Sequence, residues 1–178
     1  MKKIEDRIVI PTVNGLQKDG LEYKGFVFIG LIKVGDDPFV IEYNVRMGDP
    51  DTEVVLPKLK SDLVELFQAV AEQKLNEVTF EIDNKTATTV MVVAGGYPEA
   101  YEKNKVITGI ENVTDSLVFH AGTALKEGKV VSNGGRVLAF TSFGENFEEA
   151  LKTSYQSIEK VKFDEMYFRK DLGFDLKR

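Results

Sequence analysis

Three polar side chains alternate with apolar ones across residues 39–47: Glu42, Asn44 and Arg46, set between Phe39, Ile41, Tyr43, Val45 and Met47. Side chains two positions apart on a strand share a face, roughly 6.5–7 Å from one another. The spacing therefore predicts a half-buried strand whose polar side carries a carboxylate, an amide and a guanidinium in one row. Asn is depleted in strands, so the row is unusual for an ordinary solvated face. Glu42 and Asn44 suit a hard divalent cation such as Mg²⁺ or Mn²⁺, which prefers oxygen and often takes only one or two ligands from protein, the rest coming from water and phosphate. Arg46 cannot ligate a metal, but its fork suits a phosphate or a carboxylate. A plain solvent-facing strand with a Glu–Arg pair meets the same spacing. Glu-x-Asn-x-Arg is a weak motif, and on spacing alone the plainer account is preferred.

The neighbouring sequence must hold this row in place. Residues 25–34 are β-rich and almost continuously apolar, and Gly35-Asp-Asp-Pro38 links them to the polar row. Strand, tight turn and strand predict a hairpin that sets Gly30 beside Glu42–Arg46. A glycine there either admits a close ligand or backbone or simply packs. Gly48-Asp49-Pro50 ends the second strand. Leu59, Leu63, Leu66, Phe67 and Val70 then recur at helical spacing, with Ser61 or Asp62 as the cap, and this helix is expected to pack on the hairpin's apolar face. Upstream, Ile8-Val-Ile-Pro11 reads as an apolar stretch with a proline turn, and residues 15–25 as a short helix or loop.

Beyond Gln73-Lys-Leu-Asn-Glu77 the pattern changes to short β runs broken by glycine: residues 78–82, 88–94, 106–110, 117–121, 129–131 and 136–140. Such runs predict a small sandwich or barrel. One helix closes it, with Asn146 and Glu149 as a capping box and Phe147, Leu151, Tyr155 and Ile158 as its buried stripe. The fold class expected is α+β, with a hairpin-plus-helix portion over residues 1–75 and a β-rich domain over residues 76–178.

Composition narrows the function classes. The 178 residues are 43% hydrophobic and 29% charged, with a net charge of −6 and no cysteine. Ten basic and 13 acidic side chains precede residue 76, and 13 and 16 follow it, so the acidity is spread evenly. That balance argues against a nucleic-acid groove or an anionic membrane surface as partner. No apolar run approaches the roughly 18 residues of a membrane span, and Met1-Lys-Lys-Ile-Glu-Asp lacks the apolar region of a signal peptide. The lack of cysteine excludes thiolate chemistry and fits a reducing cytoplasm.

Other candidates carry less. Asp49 suits the N-terminus of the helix after it, as a cap. His120, the sole histidine, sits inside a predicted strand with no second histidine, cysteine or triad partner, and reads as structural. Asn133-Gly-Gly-Arg136 is a hairpin-type turn signal. That loop and Ala94-Gly-Gly-Tyr-Pro98 serve either as tight turns or as loops over a ligand; neither is a P-loop.

The stretch Val40-Ile-Glu-Tyr-Asn-Val-Arg-Met-Gly-Asp-Pro-Asp-Thr-Glu53 resembles the metal-binding strand of the ATP-grasp ligases. It is most similar to the phosphoribosylamine–glycine ligase (glycinamide ribonucleotide synthetase) family, which reads Glu-Phe-Asn-x-Arg-Phe-Gly-Asp-Pro-Glu-Thr here. Tyr43, Met47 and Asp51 are mild departures, none at a metal ligand. Leu59-Lys-Ser-Asp-Leu63, Ala94–Pro98, Val118-Phe-His-Ala-Gly-Thr123, Ser132-Asn-Gly-Gly-Arg-Val137 and Phe168-Arg-Lys-Asp-Leu-Gly173 also resemble this family, in its order. The resemblance implies that residues 1–75 end an ATP-grasp nucleotide-binding domain and residues 76–178 are the family's β-rich C-terminal domain. It implies that Glu42 and Asn44 hold the Mg²⁺ or Mn²⁺ that bridges the phosphates of the co-substrate ATP. Arg46, just beyond them, is the candidate catalytic residue, either contacting an acyl phosphate, a substrate carboxylate or an ATP phosphate or serving the structure alone. The implied activity joins glycine to 5-phosphoribosylamine in de novo purine synthesis. The abrupt start at Ile8 fits a C-terminal fragment, inactive alone, whether engineered or a subunit of a split ligase. The alternative from another class is a non-catalytic β-rich binding module.

Overall fold

The computed structural model describes residues 1–176. They form two compact units, Met1–Asp49 with Ser61–Glu81, and Pro50–Lys60 with the chain from Ile82 onward. The spatial division thus differs from a single cut after residue 75, because Pro50–Lys60 packs with the later unit. Backbone pairing accounts for this: Leu59 bridges Ile82, and Asp83 N donates to Lys58 O at 2.7 Å.

In the first unit, α1 (Lys2–Ile4), a π-helical stretch (Glu5–Val9) and α2 (Ile10–Lys18) follow one another without a break. The expected proline turn at Pro11 is therefore a helix. Proline has no N–H and its ring crowds the preceding turn. The wider π stretch, in which Ile10 N donates five residues back to Glu5 O, comes just before Pro11 and places it at the start of α2.

Strands β1 (Phe28–Val34) and β2 (Asp37–Asn44) form the expected antiparallel hairpin, turning at Gly35 with φ +60°. Gly30 pairs with Glu42 and Leu31 with Val40, so Ile41 is an extra, bulged residue. β2 ends at Asn44, opposite the first residue of β1, and Val45 and Arg46 lie in a bend. The strand is thus shorter than the alternation through Met47 predicts, because no partner backbone continues the ladder.

Helix α4 (Leu63–Ala71) is capped by Asp62, whose carboxylate accepts from Val64 N at 2.7 Å. It does not cover the hairpin as expected. Phe67 meets Phe26 edge-on at 5.9 Å, and Lys24 Nζ donates to Ala71 O at 2.6 Å, so α4 is held by the segment that precedes β1. Phe39, Ile41, Tyr43 and Val45 are each more than half exposed. The expected burial of their face is not seen; Thr12 Oγ1 in the helical start lies 2.9 Å from Tyr43 OH.

The second unit is built on an antiparallel four-stranded sheet in the order β4-β7-β3-β8, made of β3 (Thr86–Ala94), β4 (Leu117–His120), β7 (Arg136–Gly144) and β8 (Met166–Tyr167). A separate hairpin pairs β5 (Thr123–Lys126) with β6 (Lys129–Ser132). Its two-residue turn is Glu127-Gly128, at φ +49° and +74°, the backbone a tight hairpin requires. Asn133-Gly-Gly is not a hairpin turn, because β6 pairs with β5 while β7 pairs with β3 and β4. It is a crossover between sheets, pinned where Asn133 N donates to Gly122 O at 2.7 Å. A Cβ on Gly122 would stand 2.7 Å from Gly134 Cα, so two backbones meet there with no room for side chains.

Helix α5 (Phe147–Ile158) closes the unit as expected. Asn146 Oδ1 accepts from Glu149 N at 2.9 Å, and Glu149 Oε2 accepts from Glu145 N at 3.1 Å, one residue before the capping-box partner expected. Leu151 and Ile158 join Val90, Val92, Leu138, Phe140 and Val161 in the core. Small residues join α5 to its neighbours: Ser154 Oγ donates to Ser142 Oγ on β7 at 2.8 Å, and Ser116 Oγ, just before β4, donates to Ser157 Oγ at 2.7 Å. These buried hydroxyls satisfy one another.

At the β1–β2 turn, Asp37 Oδ1 accepts from Lys3 Nζ at 3.0 Å and Arg7 Nη1 at 2.7 Å. The hydrogen bond and charge of Lys3 first, then Arg7, hold the Asp37 carboxyl below its ordinary value. A depressed folded pKa contributes stability that is present above the unfolded value and lost as pH falls through the folded one. In an NMR titration, the Asp37 midpoint should rise in the Lys3→Ala/Arg7→Ala double variant. An unchanged midpoint would show that the two cations do not hold it.

Candidate metal and phosphate site

Strand β2 presents Glu42 and Asn44 on one side, two residues apart, and the ladder sets each against a defined neighbour. Glu42 lies opposite Gly30, and a Cβ at position 30 would stand 2.9 Å from Glu42 Cγ. The glycine is therefore where the Glu42 side chain lies over the adjacent strand. It is a packing glycine that makes room for a carboxylate. Asn44 lies opposite Phe28 at the end of the ladder. Its Nδ2 is buried and has no hydrogen-bond partner among the described residues. A buried, unpaired amide is costly unless something satisfies it. Turning the amide end for end would put Oδ1, a metal-ligating oxygen, in that same position.

Among the described residues no group of three or more His, Cys, Asp or Glu side chains could hold a metal. Glu42 and Asn44 thus form no complete protein cage. One carboxylate and one amide oxygen still fit a hard cation whose other ligands are phosphate and water oxygens, as is usual for Mg²⁺.

Arg46 falls outside the ladder, so it does not stand in register with the other two. Its side chain is exposed, and Nη1 donates to Met47 O at 3.1 Å. A guanidinium with one donor on a backbone carbonyl keeps further donors for an anion. Asp49 is exposed, and the N-cap position of α3 (Thr52–Val55) is Asp51, which makes no side-chain cap bond.

The glycine-rich stretches of the second unit come together at one end of its sheet. Ala94 N donates to Gly135 O at 2.8 Å, and the ring of Tyr97 lies against Gly135, with Tyr101 stacked obliquely 6.1 Å away. Gly122 receives both Asn133 N and Gly134 N. Three loops far apart in sequence thus share one corner, which their separate turn signals did not reveal. His120 Nδ1 lies 3.0 Å from Thr123 Oγ1, a local bond across the β4–β5 turn that agrees with a structural role.

Comparison with known proteins shows what the chain is similar to. The model of the phosphoribosylglycinamide synthetase ATP-grasp (A) domain matches residues 1–52, which include Glu42, Asn44 and Arg46. The model of the phosphoribosylglycinamide synthetase C domain matches residues 87–175. A phosphoribosylamine–glycine ligase of Caldanaerobacter subterraneus is 41% identical over 173 residues, which are 97% of this chain and 42% of that protein. The ligase of the same name from Chlorobaculum tepidum is 43% identical over 176 residues, 97% of this chain and 41% of that one. The crystal structure of phosphoribosylamine–glycine ligase from Thermotoga maritima superposes with a TM-score of 0.78 at 39% identity, covering 96% of this chain and 42% of that one. The chain thus spans about two fifths of the length of these relatives. With one domain model on the hairpin and another on the sheet and α5, the chain belongs to the phosphoribosylglycinamide synthetase family.

Proposed function

We propose that this chain is the C-terminal part of an ATP-dependent ligase that joins glycine to 5-phosphoribosylamine, yielding glycinamide ribonucleotide, ADP and phosphate. Residues 1–75 belong in this reading to the ATP-grasp domain and residues 76–178 to the C-terminal domain. The observation that carries it is the Glu42–Asn44 row inside the matched ATP-grasp segment. The family's ATP-grasp domain implies use of ATP. No helix among the described residues is long and apolar enough to cross a membrane, and the proposed setting is the cytoplasm.

The chemistry in this reading has two steps. The glycine carboxylate attacks the γ-phosphorus of ATP, and ADP leaves. The amine of phosphoribosylamine then attacks the acyl phosphate carbon, the C–N bond forms, and phosphate leaves with the bonding pair of the C–O bond. Glu42 and Asn44 would hold a Mg²⁺ or Mn²⁺, which when bound neutralises phosphate charge. Gly30 leaves the space that the Glu42 side chain occupies. Arg46 lies just past the strand and is suited to orient a carboxylate or phosphate oxygen through paired donors. The chain holds only part of such an active site, and in this reading it turns over no substrate by itself.

The test is glycine-dependent ADP release with phosphoribosylamine by the full-length ligase. Glu42→Gln keeps the shape and removes the charge, and should lower turnover by at least about tenfold with little change in melting temperature. Wild-type turnover in this variant would remove the metal assignment. Gly30→Ala adds a Cβ that the Glu42 side chain must avoid, so Mn²⁺ should bind several-fold more weakly by titration. Undiminished binding would show that the Gly30 space does not set the carboxylate.

A further inference from the structure

The β1–β2 ladder closes at Phe28 opposite Asn44, and Val45 and Arg46 follow in a bend. A side chain from outside both strands reaches across that end. Tyr23 OH donates to Phe26 O at 2.8 Å and to Val45 O at 2.9 Å. Phe26 lies two residues before β1, and Val45 is the first residue after β2. One hydroxyl proton, shared between two carbonyls, thus spans the two chains where the ladder has stopped. Gly25 keeps the path open. A Cβ there would stand 2.8 Å from the Tyr23 hydroxyl oxygen, and its φ of +151° is one that side chains rarely adopt.

The base of this bridge is itself held. Lys24 Nζ donates to Ala71 O at 2.6 Å, and the Phe26 ring meets Phe67, so the residues beside and after Tyr23 are fastened to α4. Tyr23, α4 and the hairpin all belong to the first unit. The bond matters through the peptide it grips. The Val45 carbonyl shares one rigid plane with Arg46 N and Arg46 Cα. A donor that fixes the direction of that carbonyl therefore restricts where the Arg46 side chain starts. Glu42 and Asn44 have β1 opposite them for this purpose, whereas Arg46 lies past the last rung.

We infer that Tyr23 is a positioning residue for Arg46: its hydroxyl takes over where the ladder ends and sets the backbone from which the guanidinium reaches its anion. This rests on the role proposed above for Arg46. Tyr23 acts through the Val45–Arg46 peptide rather than on a reacting atom.

The experiment measures kcat and KM for ATP and for glycine in the full-length ligase, by glycine-dependent ADP release, for Tyr23→Phe, Arg46→Lys and the double variant. Arg46→Lys keeps the charge and loses the paired donors that the proposed role uses. Tyr23→Phe removes only the hydroxyl. It should lower kcat/KM by roughly three- to tenfold, for the same co-substrate whose kcat/KM Arg46→Lys lowers most. Added to Arg46→Lys, it should cost less than about twofold more, because the group it positions has already lost its fork. A tyrosine that merely supported the fold would cost the same factor in both backgrounds. If Tyr23→Phe does not fold, Gly25→Ala, whose methyl group displaces the hydroxyl, takes its place. Wild-type kcat/KM in the phenylalanine or alanine variant, with Arg46→Lys impaired, overturns the inference and leaves the Arg46 role standing. Equal losses in the two backgrounds overturn it as well. Wild-type kinetics in Arg46→Lys itself remove the Arg46 role, and this inference with it.

Discussion

The second unit hangs on one pairing. β3 and β7, nine residues each, run antiparallel from Thr86 opposite Gly144 to Val92 opposite Leu138, and the other two strands of the sheet and α5 attach to them. β4 extends the sheet from β7, β8 extends it from β3, and α5 packs on both through Leu151 and Ile158. The ladder satisfies its own backbone polar groups, which frees its side chains to be wholly apolar at Val90, Val92, Leu138 and Phe140. Where polar side chains are buried against it, they come as mutually bonded sets: the serines under α5, and Thr89 with Thr141 beneath the Glu53 carbonyl.

The Glu42–Asn44 row obeys a different constraint. It stands on a two-stranded sheet, which buries little by itself. Its apolar side chains Phe39, Ile41, Tyr43 and Val45 remain largely exposed, while its polar residues are set by the ladder. The two sides of β2 therefore have opposite needs: an apolar cover for one, and polar partners for the other. Gly30 matters because it lets the Glu42 side chain lie across the neighbouring strand without a steric conflict. Asn44, with a buried amide group lacking a partner, is the position where a ligand would relieve a cost already present in the fold.

Proline recurs as the residue that forces another part of the chain to respond. Pro11 is accommodated by a π-helical stretch just upstream, a purely local answer. Pro57 leaves the Glu53 carbonyl, four residues before it, without a helical donor, and the Thr141 hydroxyl on β7 donates there at 2.8 Å. The difference follows from where each proline sits. Pro11 lies inside a continuous helical run, where the wider π stretch just before it makes room for its ring. Pro57 follows a single helical turn, too short to re-route its bonds internally.

The sequence by itself determined what depends on neighbours in the chain. The β1–β2 hairpin with Gly30 beside the polar row, a cap at Ser61 or Asp62, the Asn146–Glu149 cap and the stripe of α5 all follow from patterns a few residues long; the bulge at Ile41 that pairs Gly30 with Glu42 does not. The Glu42-x-Asn44-x-Arg46 row was legible too, although on spacing alone it was no stronger than a solvated strand; the family's wider motif made it specific. Only the tertiary structure decided where the ladder stops, and so why Arg46 leaves the row. It also turned Asn133-Gly-Gly from a hairpin into a crossover, because strand pairing is a choice among distant partners. The placement of α4 and the assignment of Pro50–Lys60 to the later unit depend in the same way on contacts such as Phe26–Phe67 and Leu59–Ile82. Local patterns specify which backbone groups seek partners; which distant group answers, as Thr141 answers Glu53, is settled only when the chain has closed on itself.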